Sequence, residues 1–205
     1  LDSYYKNNVF YLANATNPDL ISRMRKSASF YLKLIVKYIQ PIRDNLLLDV
    51  GANYGALVEE ASCLGFKTVG LEKNQVLVDQ AKQRGLNVSE ENLTDLVISS
   101  PVNVITAMHV LEHLVDPRSF IKDVYKKLAP NGLLVIGVPN IESYLAQKDG
   151  LSWRYIALEH LWYFSPKTLR QVLSEEGFEV LAVNRDGTNL ADQSLKKLLH
   201  YLIGQ

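Results

Sequence analysis

The first residues with the types and spacing to do chemistry stand in one run, Leu46-Leu47-Leu48-Asp49-Val50-Gly51-Ala52-Asn53-Tyr54-Gly55. A short apolar run of this kind reads as a buried parallel strand. Glycines just beyond such a strand let a ligand and the backbone approach closely at its carboxyl end, where a nucleotide-type ligand is the natural occupant. Gly51-x-Asn53-x-Gly55 is not the dinucleotide fingerprint G-x-G-x-x-G, and the Asp49 carboxylate would repel a pyrophosphate, so Asp49 suits a cation instead. Asn53 stands where a glycine is expected and is one of the few other residues that tolerates a left-handed backbone. The alternative is a bare tight turn from strand to helix. Glu72 follows about 20 residues beyond Gly51, where an acid can accept both hydroxyls of a ribose and disfavours a 2′-phosphate. Without that register it would be a solvated surface charge.

A second group lies further along the chain. His109, Glu112 and His113 are three and four residues apart, so in helical conformation they would share a face, and His160 could join them from a later loop. That grouping raises a metal site. H-x-x-E-H also matches the zinc signature of inverted zinc proteases, but that motif needs a helical scaffold and here follows a strand, so the protease reading is set aside. The alternative is that Glu112 and His113 are hydrogen-bonded structural residues at the sheet edge.

These side chains need rigid elements beneath them. Met24, Ala28, Tyr31, Leu32, Ile35 and Ile39 recur at three and four residues and predict an amphipathic helix over 22–39, ended by Pro41. Alternation follows: strand 46–50, helix 55–64, strand 68–71, helix 75–84, strand 87–89, strand 102–107, helix 117–128 and strand 132–138. Such an order means βαβ units, hence an α/β fold with a doubly wound, mostly parallel sheet and helices on both faces. An aromatic-rich loop over 141–164 leads to Ser165-Pro166, an N-cap and first-turn proline that open a helix to about Glu176. Gly177 closes it and 178–184 reads as a strand. The tail from about Asp192 to Leu202 looks helical; no convincing seventh strand is visible, so a truncated or rebuilt C-terminus is expected.

At 205 residues and 23.1 kDa, with 47% hydrophobic and 21% charged residues, the chain is expected to form one domain. Its expected parts are an N-terminal helical cap (1–45), a ligand-binding core (46–140) and a loop with the C-terminal part (141–205). Twenty-two basic residues balance 22 acidic ones, which leaves no net field to attract nucleic acid. No segment approaches the ~20 apolar residues of a membrane span, so no membrane insertion is expected. The lone Cys63, inside an apolar stretch, reads as a core residue of a cytoplasmic protein. Arg23, Arg25 and Lys26 read as a solvated helix face rather than a grip on an anion. Leu1-Asp2 resembles neither a signal peptide nor a natural start, so a trimmed chain is expected.

From Leu46 to about Val183 the chain resembles the class I S-adenosylmethionine-dependent methyltransferases, with several motifs in the right order. Leu48 through Gly55 resembles the family's first motif, which holds the methionine part of the cofactor. Leu71-Glu72, followed by Lys73, resembles the ribose-binding acid. Asn92-Leu93 lies where the family has an aspartate and an apolar residue facing the adenine, with Asn92 replacing the aspartate. Met108 and His109, at the end of the fourth strand, complete the implied cofactor contacts. Val110-Leu111-Glu112-His113-Leu114-Val115-Asp116-Pro117 resembles the L-E-H-x-x-D-P block of a subgroup that includes ubiquinone-pathway and many small-molecule methyltransferases. Pro130-Asn131-Gly132, Pro139-Asn140, and His160 followed by Phe164-Ser165-Pro166 are also typical.

The resemblance implies a Rossmann-like methyltransferase fold, S-adenosylmethionine as cofactor, S-adenosylhomocysteine as product, and methyl transfer to a small-molecule acceptor with oxygen the favoured atom. Displacement at a sulfonium asks the protein chiefly for alignment. A hydroxyl acceptor adds a general base, for which His109, His113 and His160 are the candidates. Trp153, Tyr155 and Trp162, with Arg154 and Tyr163 beside them and Tyr4, Tyr5, Phe10 and Tyr11 near the N-terminus, are expected to wall the acceptor pocket; a satellite core under the loop is the alternative. Related enzymes hold a divalent metal through E-x-x-E-H. Here His109 replaces the first glutamate, which argues against a hard ion, so no metal is expected, with Glu112, His113 and His160 as the alternative ligand set. Two other functions stay open: an NAD-dependent oxidoreductase, disfavoured by Asp49 and the missing fingerprint, and a non-catalytic cofactor-binding protein of the same fold. A small-molecule acceptor is the expected partner, with oligomeric state open.

Overall fold

The structure, a computed structural model, describes residues 17–184 and 198–204. Tyr4, Tyr5, Phe10, Tyr11 and the start of the expected C-terminal helix lie outside the described residues. Two compact units divide the chain, residues 1–106 and 107–205, and the division falls inside a strand.

In the first unit, helix α1 (Pro18–Ile35) starts earlier than its apolar periodicity suggests, because Asn17 caps it. The Asn17 side chain accepts from the backbone N–H of Asp19 and Leu20, and Pro18 needs no donor partner. Ala28, Tyr31, Leu32 and Ile35 form its buried face. Strand β1 (Leu46–Val50) is buried along Leu46 to Asp49, as a strand covered on both faces must be. Helix α2 (Ala56–Leu64), against which α1 packs, strand β2 (Lys67–Leu71), helix α3 (Gln75–Gln83), strand β3 (Val88–Ser89) and strand β4 (Val102–Met108) follow. The strand order is β3-β2-β1-β4, with β1 parallel to β2 and β2 parallel to β3. Cys63 is exposed, not a core residue. It lies two positions beyond the buried Ala61, about 200° around a helix of 3.6 residues per turn, so apolar neighbours in sequence leave it on the outer face.

The second unit takes up the end of β4 and continues through a 3-10 turn (Leu111–His113), helix α4 (Pro117–Lys127) and strand β5 (Leu128–Pro139). The expected aromatic loop carries a short helix α5 (Tyr144–Asp149) and a second 3-10 turn (Gly150–Ser152). Helix α6 (Pro166–Glu175) opens on a capping box between Ser165 and Thr168. Strands β6 (Glu179–Asn184) and β7 (Leu198–Gly204) close the unit, with strand order β4-β5-β7-β6.

The C-terminal end corrects the sequence expectation, since 198–204 is a seventh strand and not part of a helical tail. β7 pairs antiparallel with β5 from Leu133↔Gly204 to Pro139↔Leu198 and with β6 on its other side. A run such as Leu-Leu-His-Tyr-Leu-Ile suits helix or strand locally, and pairing on both edges decides between them. The result is the mostly parallel α/β fold with an antiparallel end. No helix among the described residues is long and apolar enough to cross a membrane.

Gly70 shows how tightly β2 supports the turn after β1. A Cβ there would meet Val88 Cγ2 at 2.9 Å, and Ala52 Cβ and Val58 Cγ2 at 3.0 Å each. Ala52, Val58, Val78, Ala81 and Val88 form one buried cluster, with Leu86 packed against it, and leave little room to give. Gly70→Ala is expected to lower stability by ~1–3 kcal/mol through overpacking, read as a lower urea midpoint at unchanged slope.

Candidate functional site

Asp49, one residue from the end of β1, is only 5% exposed. The Thr106 hydroxyl donates to its Oδ1 at 2.6 Å. Burial, aided by the charge of Glu72, outweighs that hydrogen bond and raises the Asp49 pKa to about 7.

The chain then turns through Gly51, Asn53 and Gly55 at φ of 76°, 52° and 86°. Glycine and asparagine are the residues that adopt this left-handed region at least cost. Glu72, just past β2, anchors the turn: its Oε2 accepts from Asn53 N–H at 2.8 Å and its Oε1 from Asn74 N–H at 2.9 Å. The Lys73 backbone N–H bonds to the same carboxylate, and a carboxylate has about four acceptor sites, so about one remains for a hydroxyl donor of a ligand. Burial raises the Glu72 pKa against the lowering effect of the Asn74 and Asn53 backbone bonds. Lys73 Nζ donates to Glu90 O at 3.0 Å and Asn92 Oδ1 at 2.5 Å, while the Asn92 amide donates to Asp95 Oδ2 at 2.7 Å. Asn92 is exposed and Leu93 is buried.

In the second unit β4 ends at Met108, and His109 follows with φ 57°. Residues 111–113 form a 3-10 turn rather than an α-helix, and across it His109 Nδ1 lies 3.0 Å from Glu112 Oε1. Glu112 is fully buried, and its backbone carbonyl accepts from Leu161 N–H at 2.8 Å and Trp162 N–H at 3.2 Å. Burial pushes its carboxyl up, but the hydrogen bond and charge of His109 outweigh this and hold it below the usual range.

His113 Nδ1 lies 3.0 Å from Glu159 O, and His160 Nδ1 lies 2.7 Å from Tyr155 O. A carbonyl only accepts, so each Nδ1 carries a proton. Burial lowers the His113 pKa and keeps that ring neutral, although Glu112 opposes the shift. The two rings meet edge-on at 4.7 Å, and Tyr155 stacks between His109 and His160 at 6.1 and 6.0 Å. Glu112, His113 and His160 each bring one possible ligand atom within 4.8 Å of the others, and Glu112 Oε2 is buried without a hydrogen-bond partner.

Each unit thus gathers one set of the expected site residues. Of the aromatic wall, Trp153 is 1% exposed with its indole N–H buried and unpartnered, and Trp162 is 45% exposed with its indole bonded to Leu114 O. Thr106 and the carbonyls of Tyr155 and Glu159 escaped sequence reading. A hydroxyl inside a buried strand and a main-chain oxygen carry no motif.

The family model described as a methyltransferase domain matches residues 21–183. A ubiquinone biosynthesis O-methyltransferase of Parvibaculum lavamentivorans is 29% identical over 131 residues, 60% of this chain and 52% of that protein. The chain therefore spans about half the length of that relative. A protein of the same name from Caulobacter sp. strain K31 is 28% identical over 80% of this chain and 71% of its own length. Among solved structures, magnesium protoporphyrin IX methyltransferase from Synechocystis PCC 6803 with bound SAH superposes with a TM-score of 0.77 at 12% identity, covering 100% of this chain and 97% of that one. An S-adenosylmethionine-dependent methyltransferase from Clostridium acetobutylicum gives 0.65 at 16% identity, covering 86% and 89%. These two likenesses show the fold.

Asp49 also sets a pH dependence. Its folded pKa, about 7, lies above its ordinary 3.8, so the folded state holds the proton more tightly and loses stability as pH rises between those values. Asp49→Asn keeps an acceptor for Thr106 and removes the ionisation. The variant's stability relative to wild type is expected to be near zero at pH 4 and to rise to a plateau above pH 7, read by urea melts across that range.

Proposed function

The chain belongs to the methyltransferase-domain family, and on that premise we propose that it transfers the methyl group of S-adenosylmethionine to an oxygen of a small-molecule acceptor. The observation that carries this reading is the buried Asp49 at the end of β1, beside a left-handed turn braced by Glu72. The first motif and its acid fit a ligand that is cationic at one end and carries a ribose diol at the other. A pyrophosphate cofactor fits poorly against two carboxylates, which disfavours NAD. The cofactor when bound supplies a sulfonium-activated methyl group. Asp49 would face its positive end, Glu72 would accept hydrogen bonds from its hydroxyls, and Leu93 would offer an apolar contact to the base.

The second unit carries the acceptor's proton chemistry in this reading. His109 directs Nδ1 at the buried Glu112 carboxylate and is 38% exposed at its side chain, leaving Nε2 as the free ring nitrogen. That is the arrangement of a base held in one tautomer by a carboxylate. His113 and His160 both commit Nδ1 to main-chain carbonyls, which turns the opposite edge of each ring away from those carbonyls. Hydroxyl as the acceptor group accords with the names of the relatives described above.

A second reading of the same cluster is favoured by one observation, the unpartnered Glu112 Oε2 close to two imidazoles whose far nitrogens are already bonded to carbonyls. Metal-ligating histidines are oriented in this way. One carboxylate and two imidazoles suit a borderline transition ion such as zinc or iron(II) better than magnesium. Such an ion would polarise the acceptor hydroxyl and lower its pKa. Bound metal measured by mass spectrometry, and a fall in melting temperature on chelation that His160→Ala abolishes, are expected on this reading; equal melting with and without chelator removes it.

Calorimetric titration tests the primary reading. Micromolar binding of S-adenosylmethionine and S-adenosylhomocysteine is expected, with none for NAD. Asp49→Ala should abolish cofactor binding. His160→Ala should leave binding intact and lower turnover of a hydroxyl acceptor; normal turnover would remove His160 from the machinery.

A further inference from the structure

Tyr54 sits inside the left-handed turn, between Asn53 and Gly55, yet is 5% exposed. Every part of it is held within the first unit. Its N–H donates to Asn53 Oδ1 at 2.8 Å, its carbonyl accepts from the Arg84 guanidinium, and Arg84 Cζ lies 5.0 Å from its ring centre. Its hydroxyl donates to Ile21 O of α1 at 3.0 Å. Arg84, the C-cap of α3, also donates from Nη1 to Glu59 Oε2 of α2 at 3.0 Å, and Arg25 of α1 donates to that same oxygen at 2.9 Å. One residue of the turn is therefore tied to α1 through its hydroxyl and to the end of α3 through its carbonyl and ring. Glu59 joins the arginines of those two helices from α2.

We propose that Tyr54 is a positioning residue that couples the docking of helix α1 to the cofactor affinity of the 51–55 turn, with Arg25, Glu59 and Arg84 as its brace. This rests on the cofactor reading above. Two glycines and Asn53 at positive φ make a segment with wide backbone freedom, which its surroundings must restrict to hold one conformation. Glu72 holds the Asn53 end. Tyr54 and Arg84 hold the other, where the ligand-binding turn passes into α2. Loss of the Tyr54 hydroxyl frees α1 and loosens that end, so the cofactor must then supply the ordering. Linkage makes the effect reciprocal: a cofactor that binds the ordered turn must tighten α1 by the same factor.

The test pairs calorimetry with hydrogen exchange of the α1 amides, with and without S-adenosylmethionine, on the full chain. The cofactor is expected to slow exchange across residues 18–35 of the wild-type protein. Tyr54→Phe, which removes one hydrogen bond, should bind the cofactor about fivefold more weakly and lose most of that protection. Arg25→Gln lies on the exposed face of α1 and reaches the turn through Glu59 and through its charge near Tyr54, so about a twofold loss of affinity and reduced protection are expected. Should Tyr54→Phe fail to fold, Arg25→Gln carries the test. Wild-type affinity in both variants, or α1 exchange indifferent to a cofactor that calorimetry shows to bind, overturns the coupling. Absence of cofactor binding to the wild-type protein overturns the cofactor reading and the coupling together, and calorimetry alone distinguishes that case.

Discussion

A carboxylate buried at the end of a parallel strand is the constraint around which the first unit is built. Placing Asp49 out of water disfavours its charge, and the single hydroxyl of Thr106 does not restore it. Apolar Leu46, Leu47 and Leu48 lock the strand that carries it. The backbone beyond passes through three left-handed positions, with Glu72 bonded to the backbone N–H groups of Asn53, Lys73 and Asn74 beside it. Two acids thus stand at neighbouring strand ends, one pushed toward its neutral form by burial and one held by backbone N–H groups, an edge that suits a phosphate poorly.

The second unit solves the same problem in the opposite direction. Glu112 is at least as buried as Asp49, but His109 supplies a hydrogen bond and charge that carry its proton affinity below the ordinary value. Two buried carboxylates thus stand in environments that push them apart, the pattern by which one protein keeps one acid receptive and another firmly ionised. Of the imidazoles around Glu112, His109 is fixed by the Glu112 carboxylate, whereas His113 and His160 are fixed by main-chain carbonyls of the 155–160 segment.

Much of this was legible in the sequence. The strand-turn-helix run at 46–55, the acid at 72 and the histidines at 109, 113 and 160 announce themselves by type and spacing. The α/β alternation follows from period alone. Legibility failed where information is non-local. β7 becomes a strand because β5 and β6 both offer it edges, and no window of Leu198–Gly204 contains that fact. Cys63 follows an apolar neighbourhood in sequence while helical geometry turns it outward. Thr106, the Tyr155 and Glu159 carbonyls and the Arg84 contact with Tyr54 are pairings between distant residues of ordinary type. A single sequence marks the residues whose chemistry is unusual and stays silent about the ordinary ones that hold them in place.

The histidine at position 109 shows what one substitution within a motif does physically. A glutamate there would set a second carboxylate beside the buried Glu112, and like charges in a low dielectric require a bound cation to coexist. The imidazole removes that requirement, because it pairs with Glu112 Oε1 from within the protein. Histidine is among the residues enriched at positive φ, so the φ of 57° that aims its ring back across the 3-10 turn is tolerable as well. The pairing leaves Oε2 alone without a partner. The buried charge of Glu112 is therefore matched from within the chain through Oε1, while Oε2 stays an unused acceptor beside His113 and His160.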